Sequence, residues 1–209
     1  MDTPQTADTS IFKAPADVHC FFLARNGEGE WKVRKHGYSK RRTWRKVHLA
    51  MDAKTGQICA ALMTHQDVDD ASVLPELLDQ IPADVPLEIV GGDGAYDTKQ
   101  AHAVIAARGA QPSIPPREGA MPWLENTPGA GWRDEAIDAI SKSGRPEWKK
   151  YSGYHRRSLV ENLMYRLKTL TGNRLWARRI GSQTTEVAIR VGVLNRMMAL
   201  ARPHSVRIA

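Results

Sequence analysis

The sequence predicts an α/β protein with a mixed central sheet flanked by helices. Short apolar stretches that fit strands alternate along the chain with amphipathic stretches that fit helices, which is typical of layered α/β folds. A β-hairpin is predicted early in this alternation, so some of the strands must run antiparallel. The chain has 209 residues, of which 42% are hydrophobic, and it can therefore bury one sizeable core.

Strands are predicted at residues 19–24, 44–51, 57–63, 86–90 and 112–115. The second of them alternates apolar and polar residues, as a strand with one buried face does. The turn Asp-Ala-Lys-Thr-Gly at 52–56 then brings the third strand back beside the second, which completes the hairpin.

Helices are predicted from Asp69 or Asp70 to just before Pro82, and at residues 98–108, 154–168 and 184–201. We expect Asp97 to cap the second helix, because a side-chain carboxylate at that position can accept a free backbone N–H. The last helix has an apolar stripe at helical spacing, interpreted as core and formed by Val187, Val191, Leu194 and Met198.

Two stretches lack this alternation. Residues 1–16 are rich in Thr, Asp, Ala and Pro, and they are predicted to be a poorly ordered leader to a domain at 17–209. Residues 116–150 contain frequent Pro, Gly and Trp, and only 134–141 are weakly helical. We predict that 116–150 is an irregular insertion or a long functional loop.

Charge is unevenly distributed along the chain, which carries a net charge of +7. Residues 32–46 hold eight Lys or Arg and no acid, residues 52–140 hold fifteen acids against five Lys or Arg, and residues 141–209 hold fifteen Lys or Arg against three acids. Basic blocks on either side of an acidic middle suit a protein that holds a polyanion against a metal site. Ordinary solubilising charge in a basic protein is the alternative interpretation.

Several classes of protein are disfavoured by composition. The chain has no apolar run of about 18 residues, which a membrane-spanning helix needs, and its N-terminus lacks a signal-peptide pattern. Cys20 and Cys59 are not spaced as metal ligands, and two cysteines do not make a disulfide framework. We therefore expect a cytoplasmic protein without a membrane partner.

The predicted helix at 154–168 has two contrasting sides. One side carries a polar stripe with the spacing Tyr-x2-Arg-x3-Glu-x6-Lys, formed by Tyr154, Arg157, Glu161 and Lys168. The opposite side is expected to face the core and carries Leu159, Leu163, Leu167 and Leu170. Charge pairs four residues apart are also common on solvated helix faces, so the stripe alone does not define a site.

Asp93 is the second candidate residue. It follows the strand at 86–90 within the run Gly-Gly-Asp-Gly-Ala-Tyr-Asp at 91–97, whose glycines let the backbone turn sharply. An aspartate in such a glycine-rich run commonly serves only to stabilise a turn. Ligands of α/β sheets nevertheless gather beyond the ends of strands, which is where Asp93 is predicted to lie.

Together the two patterns resemble the catalytic domain of DDE-type transposases of bacterial insertion sequences, families four and five. Asp93 to Asp97 matches the second-aspartate motif of that family, and the polar stripe matches its Tyr-Arg-Glu-Lys signature. Further similar stretches extend the resemblance over residues 27–209, at 27–31, 35–37, 44–48, 66–70 and 194–196.

The resemblance implies an RNase H-like fold and a two-metal phosphodiester chemistry. Asp93 and Glu161 would be catalytic carboxylates that bind Mg²⁺ or Mn²⁺, in two ions about 3.5–4 Å apart. Hard oxygen ligands suit these ions better than zinc. Tyr154, Arg157 and Lys168 would hold DNA phosphates.

The implied substrates are the terminal repeats of an insertion sequence and target DNA, both double-stranded. The implied assembly is a homo-oligomer on that DNA, in a cytoplasmic protein associated with the nucleoid. The resemblance also implies an N-terminal truncation relative to a full transposase, since a DNA-binding region would precede this domain.

The chain departs from the family at the first aspartate. That residue should lie eight positions before Gly27, where this chain has His19. Asp17 could replace it through a shifted register, whereas an imidazole is a poor Mg²⁺ ligand. Three interpretations therefore stay open: an active transposase, a DNA-binding remnant without catalysis, and a stand-alone RNase H-like nuclease.

Overall fold

The computed structural model of the chain describes residues 18–26, 45–124 and 126–200. The leader predicted at 1–16, the candidate ligand Asp17 and most of the basic block at 32–46 lie outside these residues.

The strands form one five-stranded sheet in the order β3-β2-β1-β4-β5. They are β1 (Val18–Asn26), β2 (Arg45–Asp52), β3 (Ile58–His65), β4 (Leu87–Gly91) and β5 (Gln111–Ser113). β2 runs antiparallel to both β1 and β3, whereas β4 runs parallel to both β1 and β5. The prediction of a mixed sheet with an early hairpin is therefore confirmed.

β5 lies one residue earlier than predicted and is shorter. It ends at Ser113 rather than Pro115. The prolines at 115 and 116 have no N–H to donate, so the ladder of hydrogen bonds does not continue through them. Pro112 is tolerated opposite Val90 because β5 is an edge strand.

The helices are α1 (Leu74–Asp79), α2 (Lys99–Ala107), α3 (Ala130–Ser143), α4 (Arg145–Tyr151), α5 (Arg157–Thr171) and α6 (Ile180–Leu200). A 3₁₀ turn at Ala71–Val73 leads into α1, and the Asp69 carboxylate accepts the Ala71 and Ser72 N–H groups at 3.1 and 3.2 Å. None of the helices in this part of the chain is long and apolar enough to cross a membrane.

Two apolar clusters pack on opposite faces of the sheet. One joins the sheet to α1 and α2 through residues that include Ala50, Leu74, Leu77, Val90 and Ile105. The other joins it to α5 and α6 through residues that include Leu49, Met51, Leu163, Val191 and Leu194. Alternate residues of β2 thus enter opposite clusters, which is the period-2 pattern that predicted this strand.

The buried face of α6 is the predicted one, whereas the buried face of α5 is rotated about the helix axis from the predicted face. Val187, Val191, Leu194 and Met198 are all buried. On α5 the buried residues are Val160, Leu163, Met164 and Leu167. Leu159 and Leu170 were predicted to face the core, and they are 41% and 51% exposed.

The expectation of an irregular segment over 116–150 is wrong for its second half, which contains α3 and α4. Of the α3 residues, only Ala130 and Arg133 are buried. With so little buried apolar surface, α3 has no helical hydrophobic period for the sequence to reveal.

Asn195 fastens α6 to the hairpin. Its Oδ1 accepts the Ile58 N–H at 2.8 Å, and its Nδ2 donates to the Ile58 carbonyl at 2.9 Å. We expect Asn195→Ala to lower the free energy of unfolding by about 2 kcal/mol, because both buried backbone groups lose their partner. Urea denaturation measures this change. The control Arg196→Ala, at an exposed position on the same helix, should change the free energy of unfolding by less than about 0.5 kcal/mol. An equally small effect of Asn195→Ala would contradict this role.

Candidate active site

Asp93 lies just beyond β4, where the chain enters the 3₁₀ turn Gly94–Tyr96. Its Oδ1 accepts the Ala95 N–H at 2.9 Å, so one carboxylate oxygen serves the turn. A Cβ at position 92 would lie 2.8 Å from the buried Tyr96 ring, so this close approach requires glycine. The second oxygen, Oδ2, lies 4.0 Å from Nη2 of Arg157.

Glu161 reaches the same guanidinium from α5. Arg157 Nη2 lies 2.9 Å from Glu161 Oε1, one helical turn away. The side chains of Arg157, Asp93 and Glu161 are 25%, 36% and 43% exposed, so the cluster opens to solvent. The Arg157 guanidinium therefore lies between two carboxylates that are 68 positions apart in the sequence.

Tyr154 was predicted to lie on the helix itself. It lies instead in the 3₁₀ turn Tyr154–Arg156, which directly precedes α5. Its ring lies 5.9 Å from that of Trp148, with Lys149 Nζ 5.4 Å and Arg157 Cζ 5.9 Å from its centroid. Burial raises the pKa of the Tyr154 hydroxyl and Arg157 lowers it, while Asp93 and Glu161 raise it further. The hydroxyl is thus a hydrogen-bond donor at neutral pH.

Lys168 lies farther along the same side of α5. It is half-buried and seven residues after Glu161, about 10 Å along the helix axis. The structure thus brings Tyr154, Arg157, Glu161 and Asp93 together, and Lys168 extends the stripe away from them.

The position predicted for a first carboxylate lies on the neighbouring strand. In the parallel pairing of β1 with β4, His19 is opposite Ile89 and Phe21 is opposite Gly91. Among the described residues, no three His, Cys, Asp or Glu side chains are grouped so that they could hold a metal ion. Asp93 and Glu161 still fit Mg²⁺, which binds through one or two carboxylates and completes its shell with water and phosphate oxygens.

Asp97 does not cap α2, contrary to the prediction. The Thr98 hydroxyl accepts the Ala101 N–H at 3.1 Å and caps the helix instead. The buried Asp97 carboxylate accepts two hydrogen bonds from Arg133 of α3, at 2.7 and 3.2 Å, and one from the Arg117 N–H at 3.0 Å. Asp97 therefore connects α3 to the segment between β4 and α2.

The surroundings of this ion pair are closely packed. Arg133 Cζ lies 4.1 Å from the Trp123 ring centroid, and that ring meets His102 edge-on at 5.1 Å. Burial alone would raise the pKa of Asp97, but the nearby His102 imidazole, with Nε2 3.4 Å from Oδ1, and the Arg133 and Arg117 hydrogen bonds lower it well below its usual range. The carboxylate is therefore ionised at neutral pH.

A groove of about 430 Å³ opens beside the Asp93 turn. It is lined by Gly94, Pro115, Pro116, Arg117, Glu118 and Arg145. Sequence reasoning missed Arg117 and Arg145, because both fall in the segment without periodicity. Both line the groove beside the turn that carries Asp93, and Arg117 Nε lies 3.5 Å from the Gly94 carbonyl.

In comparison with known protein families, a family model described as "Transposase DDE domain" matches residues 8–196 of the chain.

Proposed function

The chain belongs to the transposase DDE domain family, and we propose on that premise that it cleaves the ends of an insertion sequence and joins them to target DNA. The observation that carries this proposal is the meeting of Asp93 and Glu161, from separate elements, on the guanidinium of Arg157. The strand order and the parallel pairing of β1 with β4 support an RNase H-like fold for residues 17–209.

Asp93 and Glu161 would hold Mg²⁺ or Mn²⁺, in two ions. The chemistry that these ions supply when bound is activation of a water or 3′-hydroxyl and stabilisation of the leaving oxygen. Arg157 binds a phosphate between the carboxylates, and the Tyr154 hydroxyl donates to the same stretch of backbone. Lys168 meets a phosphate farther along the double-stranded DNA, which a homo-oligomer would hold.

A second function is favoured by the histidine at the first-carboxylate position, namely DNA binding without cleavage. Nicking of supercoiled plasmid with Mg²⁺ or Mn²⁺ distinguishes the two functions. Cleavage by the unmodified chain supports the transposase, and strand transfer of an end oligonucleotide separates it from a simple nuclease. Cleavage only after His19→Asp identifies a DNA-binding protein disabled at that position. Salt-sensitive DNA binding is expected in both cases.

Arg157→Met is expected to change metal and DNA affinity in opposite directions. Its guanidinium repels a cation that approaches Asp93 and Glu161, and at this partly exposed position the repulsion is about 1 kcal/mol. The variant should therefore bind Mn²⁺ about 5-fold more tightly, as measured by titration calorimetry. Its affinity for duplex DNA should fall, and the slope of log affinity against log salt should shrink by about one.

Arg166→Met removes a charge from another side of the same helix and provides the control. It should lower DNA affinity less and leave Mn²⁺ affinity unchanged. Weaker Mn²⁺ binding in Arg157→Met would show that Arg157 orders the carboxylates rather than competing with the metal.

A further inference from the structure

Trp176 is the most exposed large apolar side chain in the described part of the chain, at 88%. It lies in the loop at 172–179 that joins α5 to α6, called here the α5–α6 loop. A single exposed apolar residue is ordinary on a protein surface and by itself indicates nothing. Trp176 differs from such residues in two ways: its backbone is hydrogen-bonded to α6, and the residues around it are positively charged.

The backbone of the α5–α6 loop is fixed to α6 by side-chain hydrogen bonds. The Glu186 carboxylate accepts the Trp176 and Ala177 N–H groups at 2.9 and 2.8 Å. Arg190 donates to the carbonyls of Gly172 and Arg174 at 2.9 and 2.6 Å, and it also pairs with Glu186. The backbone that carries the exposed indole is therefore fixed to α6.

The charge around the indole is positive. Arg174, Arg178 and Arg179 are all exposed within three residues of Trp176. Glu186 is the only acid after Glu161 in the sequence, and its carboxylate is occupied by the loop and Arg190. Its pKa is lowered by the N–H donors of Ala177 and Trp176 and by Arg190, so it stays in the ionised form that accepts these bonds.

An open groove adjoins the indole. It has a volume of about 620 Å³, and its lining includes Trp176, Ile189 and the residues Ser182 and Thr185. This volume lies within the ~300–1,000 Å³ typical of sites for small ligands. A flat aromatic group could enter it beside the indole, with hydroxyl-bearing residues available to its polar edge.

On the basis of the function proposed above, we propose that Trp176 stacks on an unpaired DNA base whose neighbouring phosphates are bound by Arg174, Arg178 and Arg179. Exposed aromatic rings among cations are how proteins bind single strands, and each stacked base contributes ~1–3 kcal/mol. Bases inside a duplex are already stacked on one another, so the ligand must be a frayed or opened end.

The position of the α5–α6 loop suits this ligand. The loop begins where α5 ends, ten residues after Glu161, or about 15 Å along the helix. That distance corresponds to about four base-paired nucleotides. A strand cut between Asp93 and Glu161 would therefore meet Trp176 a few nucleotides from its end.

Fluorescence anisotropy should compare two DNAs of the same length, one fully paired and one with four unpaired nucleotides at one end. The unmodified chain should bind the forked DNA more tightly, and Trp176→Ala should weaken that binding about 10-fold without changing the affinity for paired DNA. Trp176→Phe keeps an aromatic face and should retain most of the preference. Trp132→Ala, which removes an exposed indole on α3, is the control and should change neither affinity.

The possible outcomes separate this inference from the proposed function. If all variants bind paired DNA and Trp176→Ala still prefers the forked DNA as strongly as the unmodified chain, Trp176 does not have this role. The transposase proposal would then still stand. A loss of self-association in Trp176→Ala without loss of forked binding, seen by sedimentation, assigns the indole to a contact between copies of the chain. Failure of the unmodified chain to bind either DNA removes the proposed function and this inference with it.

Discussion

Asp93→Asn and Glu161→Gln should each reduce metal-dependent nicking of DNA by about three orders of magnitude. A bound divalent metal contributes several kcal/mol of transition-state stabilisation, and about 4 kcal/mol corresponds to this factor in rate. Both amides are close in shape to the carboxylates they replace. An asparagine at position 93 keeps an oxygen for the Ala95 N–H, so the turn should persist. Plasmid nicking measures the effect, in the His19→Asp background if the unmodified chain does not cut.

This prediction has two controls: a variant of a distant carboxylate, and the affinity for duplex DNA measured without metal. Asp138→Asn, an exposed change on α3, should leave the nicking rate unchanged. Duplex affinity in the absence of metal should not fall in Asp93→Asn or Glu161→Gln, because each variant removes a negative charge near the DNA. Nicking at the original rate in either variant would exclude that residue as a metal ligand.

Local patterns predicted the elements whose burial follows a simple period. The β2–β3 hairpin and the α6 stripe were correct because one face of each packs on the sheet. The α5 prediction counted only leucines and placed the core face about 50° from the face that Val160 and Met164 help to form. Leu159 and Leu170 were misplaced for that reason.

Long-range polar contacts account for what the sequence could not reveal. The Asp93–Arg157–Glu161 cluster was anticipated because its members belong to two short motifs in a known order. Asp97 was misassigned because local rules suggested a helix cap, whereas its partner Arg133 lies 36 positions away. No periodicity connects these two residues, and the sequence indicated only a weak helix at 134–141 where α3 spans Ala130–Ser143.

Arg133→Met should lower the free energy of unfolding by about 3–5 kcal/mol, because it leaves the Asp97 carboxylate buried without its charged partner. Asp97→Asn instead leaves the Arg133 guanidinium buried without a charged partner, and it should lower the free energy of unfolding by a similar amount. The double variant Asp97→Asn, Arg133→Met should be more stable than the sum of the single losses implies, since neither charge is then left alone. Urea denaturation at pH 7 measures all three, and Lys142→Met, exposed on the same helix, is the control.

The pH dependence of stability follows from the lowered pKa of Asp97. A carboxyl with a pKa lower in the folded than in the unfolded chain stabilises fully above its unfolded value, about 3.9, and less as pH falls toward its folded value. Stability should therefore drop below about pH 4, and Asp97→Asn should remove that part of the drop. An unchanged acid profile in Asp97→Asn would mean that other carboxyls account for it.

The same ion pair should affect the candidate active site without touching it. Arg133 connects α3 to Asp97 in the segment between β4 and α2, α4 follows α3 directly, and Trp148 of α4 packs against the Tyr154 ring. Loosening α3 should therefore release Tyr154 while leaving Asp93, Glu161 and Arg157 on the sheet and α5. At temperatures where Arg133→Met remains folded, it should weaken duplex DNA binding and leave Mn²⁺ affinity unchanged. Loss of Mn²⁺ binding as well would show that α3 and α4 also support the carboxylates.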